Sequence, residues 1–593
     1  MPETSPSAVT GSPGGARPGR SGAATGSGLV LVVLASGQFL MTLDASVMNV
    51  SIQSVATDIG TTVTGIQTAI TMYTLVMASF MITGGKIGAI IGRRRAMAIG
   101  LVIYGIGSAV TALAPNLGVL LLGWSLLEGL GAALIMPAIV ALVAGNFPRE
   151  RRSAAYGAIA AAGAIAIAVG PIVGGAVTTF ASWRWVFVGE VVVVLVILLA
   201  LRKVTDAPPG ARTRFDLVGA VLSIIGLSSL VFGVLRSGDW GWVQAKPGGP
   251  KLLGTSPVVW LVLGGLLVIF GFFLWESRLQ AGGREPLVQP DLLRNRQLVG
   301  GLSMFFFQFL VQAGVFFTIP LFLSVVLELS ALQTGARLLP LSFALLVTAL
   351  GVPRVAPSAR PRLVVRLGLL SMTAGTLVMI GGIGPGADAG IVTIPMLLMG
   401  FGIGALASQL GAITVSAVPD AQSAEVGGLQ NTVTNLGASL GTALVGAVLI
   451  SSLSAGLVHG VTANPAIPAE VTAQASVSIS SGVPFISDTE LKSRLDAANV
   501  APDVADAIVA ENASARLAAL RDALWVVALL SVVALFLTGL VPTTPIGRRR
   551  QDEVAASGPG PSPPAASVDR ELPSQLPGSP LPFPHGGRTD GDR

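Results

Sequence analysis

The chain has 593 residues, 52% of them hydrophobic and only 11% charged, with a mean hydropathy of +0.76. Soluble domains carry about 25% charged residues, so an ordinary soluble protein is excluded, and so is disorder over most of the length, which needs low hydrophobicity and high charge. The formal net charge of +6 fits basic loops held at the inner face of a membrane better than a nucleic-acid surface.

In chain order, residues 1–27 are rich in Gly, Ser, Pro and Ala and are expected to form a disordered cytoplasmic tail. Arg17 and Arg20 lead into a long apolar segment with no small-residue cleavage site, so no signal peptide is expected. Runs of about 20 apolar residues, the length that crosses a bilayer as a helix, lie near 29–50, 67–87, 96–115, 117–145, 154–179, 184–201, 217–235, 257–275, 298–327, 335–353, 363–383, 391–415, 427–453 and 522–541. These fourteen segments predict an all-α integral membrane protein. The longest connection, about 455–520, carries an acidic, alanine-rich helical pattern from Asp488 to Ala510 and is expected outside the membrane. Residues 546–593, rich in Pro, Gly and Ser, are expected to form a disordered cytoplasmic tail.

The 36 basic residues test this topology. With the N-terminus inside and the spans alternating, 27 fall in inside segments and 9 in outside ones. A threefold bias fits an even number of spans with both termini cytoplasmic, because an odd number would scramble the alternation.

A weak repeat divides the chain. Gly85-Lys86-Ile87-Gly88 and the run Gly92-Arg93-Arg94-Arg95 follow the second span; Gly351-Val352-Pro353-Arg354 and Arg360-Pro361-Arg362 follow the tenth, with the same nine-residue spacing. A basic loop after the second helix of each half is a transporter plan. It predicts a six-helix bundle over 28–201, a linker with a two-helix hairpin over 202–297, and a second six-helix bundle over 298–545.

Four motifs carry a family resemblance. The first is Leu43-Asp44-Ala45-Ser46-Val47-Met48-Asn49-Val50 in the first span, and the second is the loop Gly85 to Arg95. The third, Leu122-Gly123-Trp124-Ser125-Leu126-Leu127-Glu128-Gly129-Leu130-Gly131-Ala132-Ala133, lies in the fourth span. In the fifth span Gly163 and Gly170-Pro171-Ile172-Val173-Gly174-Gly175 precede Trp183-Arg184-Trp185. Over roughly 28–545 the chain resembles the fourteen-helix drug/proton antiporter branch of the major facilitator superfamily. The resemblance implies a multi-pass protein of the plasma membrane that exchanges small molecules for protons by rocking its two halves. Two features depart from the family pattern. Ala89 stands where the loop signature has an acid, and the fourth-span motif has Trp124 for an arginine and Glu128 for a glutamine. The arginine is associated in the family with proton coupling.

Each motif has a chemical reading beside a plainer one. An ionised side chain near a helix centre costs roughly 2.5–3.5 kcal/mol to insert, so an acid there is rarely incidental. Asp44 and Glu128 are therefore the candidates for proton coupling; the plainer reading is a pair of acids hydrogen-bonded to neighbouring helices. Glu190, in the sixth span, is expected near enough to the interface to be solvated. Gly85, Lys86, Gly88, Gly92, Arg93 and Arg94 are candidates for gating through ion pairs, or for topology alone. Gly170, Pro171, Gly174 and Gly175 suit a tight helix seam that sets the rocking motion, or simple packing. Gln38, Asn49, Trp124, Gln308, Gln312, Asn431 and Asn435 are candidates for a substrate cavity near the midplane. Gln308 and Gln312 stand amid Phe305, Phe306, Phe307, Phe309, Phe316 and Phe317; the alternative is interhelical hydrogen bonding with the rings facing lipid.

No cofactor is implied. The chain has no cysteine and only His459 and His585, so disulfides, thiolate or histidine metal sites and thiol catalysis are not expected. No Walker A sequence or nucleophile–base set is present, so the expected activity is transport and not an enzymatic reaction. A proton crossing 100 mV releases about 2.3 kcal/mol, and a pH unit adds about 1.4, enough for a gradient of several hundredfold in one-to-one exchange. The expected partners are a small molecule, protons and the bilayer, with no nucleic acid and a monomeric chain. Still open are an exporter of one endogenous metabolite or lipid, an uptake symporter, and a non-transporting membrane receptor or scaffold.

Overall fold

The computed structural model describes residues 20–147, 149–206, 215–246, 249–356, 358–418, 422–468 and 485–544. The expected tails lie outside these residues, except that Arg20 to Ser27 belongs to the first helix. No proline after Pro18 stops that helix from extending past the apolar run.

Among the described residues there is no β-strand, and fourteen helices are long and apolar enough to cross a membrane. In chain order α1 is Arg20–Asp58, α2 Val63–Ile91 and α3 Arg93–Ala112. The fourth span, α4, begins as Leu117–Leu120, passes through a π-helical stretch Leu121–Glu128 and continues as Gly129–Asn146. Then come α5 Arg149–Phe180, α6 Arg184–Leu201, α7 Leu217–Trp240, α8 Pro257–Ala281, α9 Arg296–Leu321, α10 Ala331–Val355, α11 Pro361–Gly382, α12 Thr393–Val415 and α13 Ser423–Ala463. A short helix, α14, spans Asp488–Ala497 and precedes the last span, α15, at Pro502–Leu537.

The helix ends are written locally. Thr62 caps α2 by accepting from the Gly65 amide, Asn295 caps α9 through Gln297 and Leu298, and Ser330 and Gln333 close a reciprocal capping box at α10. Gly92 ends α2 at φ +102°, where a side chain would be strained.

Packing divides the spans into two sets and a hairpin. In the first, α1 lies on α5, α2 on α4, and α3 on α4 and α6. In the second, α9 lies on α13, α10 on α12, and α11 on α12 and α15. The sets meet along two seams, α2 with α13 and α5 with α10, while the hairpin α7–α8 rests through α7 on α2 and α13. In the most apolar window of α8 only 17% of residues are buried, against 72% for α9. That difference makes α8 a peripheral, lipid-facing helix.

The connection expected over 455–520 is shorter than the sequence suggests. The thirteenth span runs to Ala463 and the fourteenth begins at Pro502; the second extension is rich in alanine, the best helix former. Between them, residues 469–484 lie outside the described set. Arg516 of α15 anchors the segment that leads into α14. Its guanidinium is fully buried and donates to the carbonyl oxygens of Ile486 (2.6 Å) and Val325 (3.4 Å) and to Asp488. Thr489 adds two bonds to Glu328. Burial works against the Glu328 charge, but these bonds hold its carboxyl below the usual carboxylate value of 4.5. The folded-state value is depressed, so the stabilisation is complete above the usual value and is lost as pH falls through the folded one. Replacing Arg516 by alanine removes the partners of two carbonyls and is expected to cost about 3 kcal/mol, seen as a lower melting temperature of the purified protein. An unchanged melting temperature would mean that Arg516 anchors nothing.

Candidate functional site

The site begins with Asp44. Because α1 continues to Asp58, the acid sits near the middle of the membrane-length helix Gly28–Asp58. Its neighbours on α1 look elsewhere. Gln38 bonds to Thr42, and this pair faces Gly163 of α5, while Asn49 donates back to the Ala45 carbonyl. The Asp44 side chain, 1% exposed, points at α4.

Trp124 meets it there. The indole Nε1–H lies 2.9 Å from both carboxylate oxygens, and its ring stacks on Tyr73 of α2 with centroids 5.0 Å apart. Trp124 is 1% exposed, held between the acid and the Tyr73 ring in this conformation. The π-helical stretch from Leu121 to Glu128 was not foreseen. Its wider turn changes the direction in which successive side chains leave the helix, and it contains both Trp124 and Glu128.

Glu128 faces α3, where Gly107 lets the two backbones approach: a Cβ at Gly107 would sit 2.7 Å from Glu128 Cγ. Thr111 Oγ1 lies 2.8 Å from the Gly107 carbonyl and 3.1 Å from Glu128 Oε1. One hydroxyl hydrogen serves one acceptor at a time. The hydroxyl therefore donates either to the Gly107 carbonyl or to Glu128 Oε1.

Glu190 was the weaker candidate, set behind Asp44 and Glu128 because it was expected near the interface. It is 2% exposed, so it is buried and not solvated at an interface. Ser108 of α3 donates to its Oε2 at 3.1 Å. One carboxylate oxygen from each of Asp44, Glu128 and Glu190 lies within 4.8 Å of the other two. No basic side chain forms an ion pair with any of the three among the described residues. Glu128 Oε2 and Glu190 Oε1 are buried without a hydrogen-bond partner, and the buried hydroxyls of Tyr73 and Tyr104 lie within reach of the Asp44 carboxylate. The two tyrosines lie within electrostatic reach of all three acids.

The glycine–proline motif of α5 serves two contacts. Gly174 faces Val47 of α1, with a would-be Cβ 2.9 Å from its Cα; Gly170 faces Ser46 in the same way. Gly175 faces α10 across the seam, where a Cβ would lie 2.5 Å from the Ala331 carbonyl oxygen, and Gly335 of α10 in turn crowds the carbonyl of Pro171. Thr179 accepts from the Leu332 amide at 3.0 Å.

At the end of the bundle carrying the Arg93–Arg95 loop, Gly85 packs on Pro137 of α4 and Gly88 on Ala96 and Arg93. Arg93 donates to the Gly85 carbonyl, and Arg94 bonds to Asp206 and Val204. Lys86 pairs with Glu285, just beyond α8, at 3.0 Å. The segment after Glu285 also reaches α13, since the Gln289 amide donates to Glu425. An acid from the segment after the hairpin thus pairs with the basic side chain three residues before Ala89. With Glu285 58% exposed, the pair stabilises the fold by about 0.2–1 kcal/mol at most. Glu285→Ala is expected to leave the melting temperature within about a few degrees while changing transport rate; an unchanged rate would leave Lys86 a role in topology only.

The expected cavity residues of the second set are placed but not joined. Gln308 and Gln312 of α9 are buried, with both side-chain carbonyl oxygens unpaired. Asn431 and Asn435 of α13 donate back to the carbonyls of Gly427 and Asn431. Phe305 and Phe317 are buried and the other four rings intermediate, so none of the six is fully lipid-exposed.

Comparison with known proteins points the same way. The model of the family described as Major Facilitator Superfamily matches residues 34–442. The chain is 31% identical over 440 residues to the puromycin resistance protein of Streptomyces alboniger, covering 72% of this chain and 83% of that one. It is 28% identical over 445 residues to the cephamycin export protein of Amycolatopsis lactamdurans, covering 73% and 87%. Among solved structures, a bacterial homologue of the human lysosomal transporter Spinster superposes with a TM-score of 0.52 at 14% identity, over 88% of this chain and 98% of the other.

Proposed function

Since the chain belongs to the Major Facilitator Superfamily and is a multi-pass membrane transporter, we propose that it exports hydrophobic or amphiphilic compounds, antibiotics among them, in exchange for protons. In a bacterium the membrane is the plasma membrane, and we place both termini in the cytoplasm. The substrate class rests on relatives that confer resistance to puromycin or export cephamycin. The coupling rests on one observation: three carboxylates buried together with no basic side chain paired to them among the described residues.

The chemistry follows from burial. Ionised acids in a dry interior cost several kcal/mol each unless a charge or proton compensates. Trp124 supplies a hydrogen bond but no charge, so neutrality at the site comes from protons. Taking up a proton discharges the cluster and lets it pass through a closed state; releasing it to the side of lower proton concentration restores the charge. Asp44 and Glu128 are the proton carriers in this scheme. The α5–α10 and α2–α13 seams are the surfaces that part when the halves rock. We place the substrate between the halves, beside Gln308 and Gln312, whose unpaired carbonyl oxygens accept polar groups of an amphiphile while the phenylalanines take its apolar part.

Membership of a transporter family supports reading the protein as a carrier. A narrower reading, export of one compound, is favoured by relatives named for single products. A resistance profile of cells lacking and overproducing the protein separates the two: raised tolerance to several unrelated amphiphiles supports polyspecific export, and tolerance to one supports the narrower reading. Unchanged tolerance to all would sink both. Gln308→Ala and Gln312→Ala are expected to raise KM for polar amphiphiles roughly tenfold with proton coupling intact. Equal loss for every substrate would place the glutamines outside the site.

A further inference from the structure

We propose that the hairpin α7–α8 is a strap fixed to the second set of helices and sliding over α2 when the α2–α13 seam opens, which rests on the reading that the two halves rock. Helix α7 touches both helices of that seam, so it must leave one of them when they part. The hairpin itself moves as a unit. Gly226 and Gly233 of α7 bring their backbone against Ile269 and Val262 of α8, with would-be Cβ atoms 3.1 and 3.3 Å from the two amide nitrogens. Gly265 of α8 returns the contact, 2.7 Å from the Leu230 nitrogen. Small residues at a membrane helix interface allow this close approach of backbones.

The two attachments of α7 are unequal. Toward α13, Gly238 meets Ala447, with a would-be Cβ 3.0 Å from its Cα, and Val234 and Leu235 form a buried cluster with Ala443. Just past α7, Lys246 donates to the Gly238 carbonyl at 2.6 Å and to Ser451 of α13 at 3.4 Å. The segment after α8 is held by the same helix: Leu287 and Val288 are buried with Val426 and Leu429 of α13, and the Gln289 amide donates to Glu425. Toward α2 the contacts are looser. Met72 and Ile82 are only partly buried at the edges of these two clusters, and the Ser79 and Ser228 hydroxyls are 3.4 Å apart. Lys86–Glu285 is open to solvent on its acid side, and such pairs stabilise little. Shear between packed helices takes place where side chains can repack, and here that is the α2 face. Ser79–Ser228 and Lys86–Glu285 are then the contacts that break, and the seam opens toward lipid between α2 and α7, the side from which an amphiphile dissolved in the bilayer meets it.

The chain has no native cysteine, so pairs of introduced cysteines can carry spin labels on the full-length protein in lipid nanodiscs. Leu195 of α6, Leu267 of α8 and Leu529 of α15 are 55%, 70% and 63% exposed and report on the first set, the hairpin and the second set. Double electron–electron resonance distances are compared at about pH 6 and pH 8, with and without a saturating amphiphilic cation. The pairs Leu195→Cys, Leu529→Cys and Leu195→Cys, Leu267→Cys should each shift by more than about 2 Å, while Leu267→Cys, Leu529→Cys should hold within about 2 Å. A distance from the hairpin to the second set that shifts as much as the distance between the sets overturns the proposal. So does a constant distance from the hairpin to the first set while the sets move, which would fix the strap to the other half. If none of the three distances changes, the rocking reading itself fails and the strap with it. A second arm uses Ser79→Cys, Ser228→Cys. Its oxidised, cross-linked form should show initial efflux lowered roughly tenfold or more, restored by a reductant. Full efflux from the cross-linked form would mean that α7 does not slide on α2, and overturns the proposal.

Discussion

Replacing Asp44 by asparagine should stop proton-driven efflux while leaving the chain folded. Asparagine has nearly the same shape and keeps one oxygen to accept the Trp124 indole, 2.9 Å away in the unsubstituted site. It has no ionised form, so the cluster loses one of the two carriers assigned to it. In everted vesicles with an imposed pH gradient, initial efflux of a fluorescent amphiphilic cation should fall by about a hundredfold or more, the scale of a lost proton-transfer group. Binding of the same compound without a gradient should persist. Glu128→Gln should behave alike, with a milder effect on stability because Thr111 can pair with either side chain. Efflux at the normal rate in both variants would remove the acids from the coupling mechanism.

The second large effect is expected at the α5–α10 seam. Valine at Gly175 or Gly335 places carbon atoms against backbone, 2.5 Å from the Ala331 carbonyl oxygen in the first case and hard against Pro171 in the second. Backbone cannot swing aside as a flexible side chain does, so the helices must separate, at a cost of about 1–3 kcal/mol or more. That cost falls only on conformations in which the seam is closed. Transport should therefore drop by at least about tenfold, and single cysteines placed near Thr179 or Leu332, in a chain with no native cysteine, should react faster with a water-soluble thiol reagent. Unaltered labelling and transport would mean that the seam does not close tightly during the cycle.

The fourteen spans were legible because a bilayer demands about 20 apolar residues in a row, and neighbouring sequence rarely imitates that. Asp44 and Glu128 were legible for the same reason in reverse, as acids inside such runs. Glu190 carries the identical signal. It stands six residues from Arg184, though, and sequence alone does not say how deep a residue lies when the membrane edge is blurred by a basic neighbour. What sequence held no trace of was pairing. Trp124 is 80 positions from Asp44, and Tyr73 and Tyr104 come from two further helices. The π-helical stretch was equally hidden, because an apolar run reads the same whether its bonds close at four residues or five. The partner of Lys86 was hidden as well: Glu285 lies almost 200 residues away, in a segment that also touches α13.

The central claim is that substrate and protons are exchanged at a site built from these acids, and the most direct measurement is proton release on substrate binding. A weakly buffered solution of the purified protein with a pH-sensitive dye should acidify when an exported amphiphile is added, saturating with the substrate. The Asp44→Asn, Glu128→Gln double variant should bind the compound without acidification. Saturable binding to the unsubstituted protein with no proton released at any pH between about 6 and 8 would contradict the account.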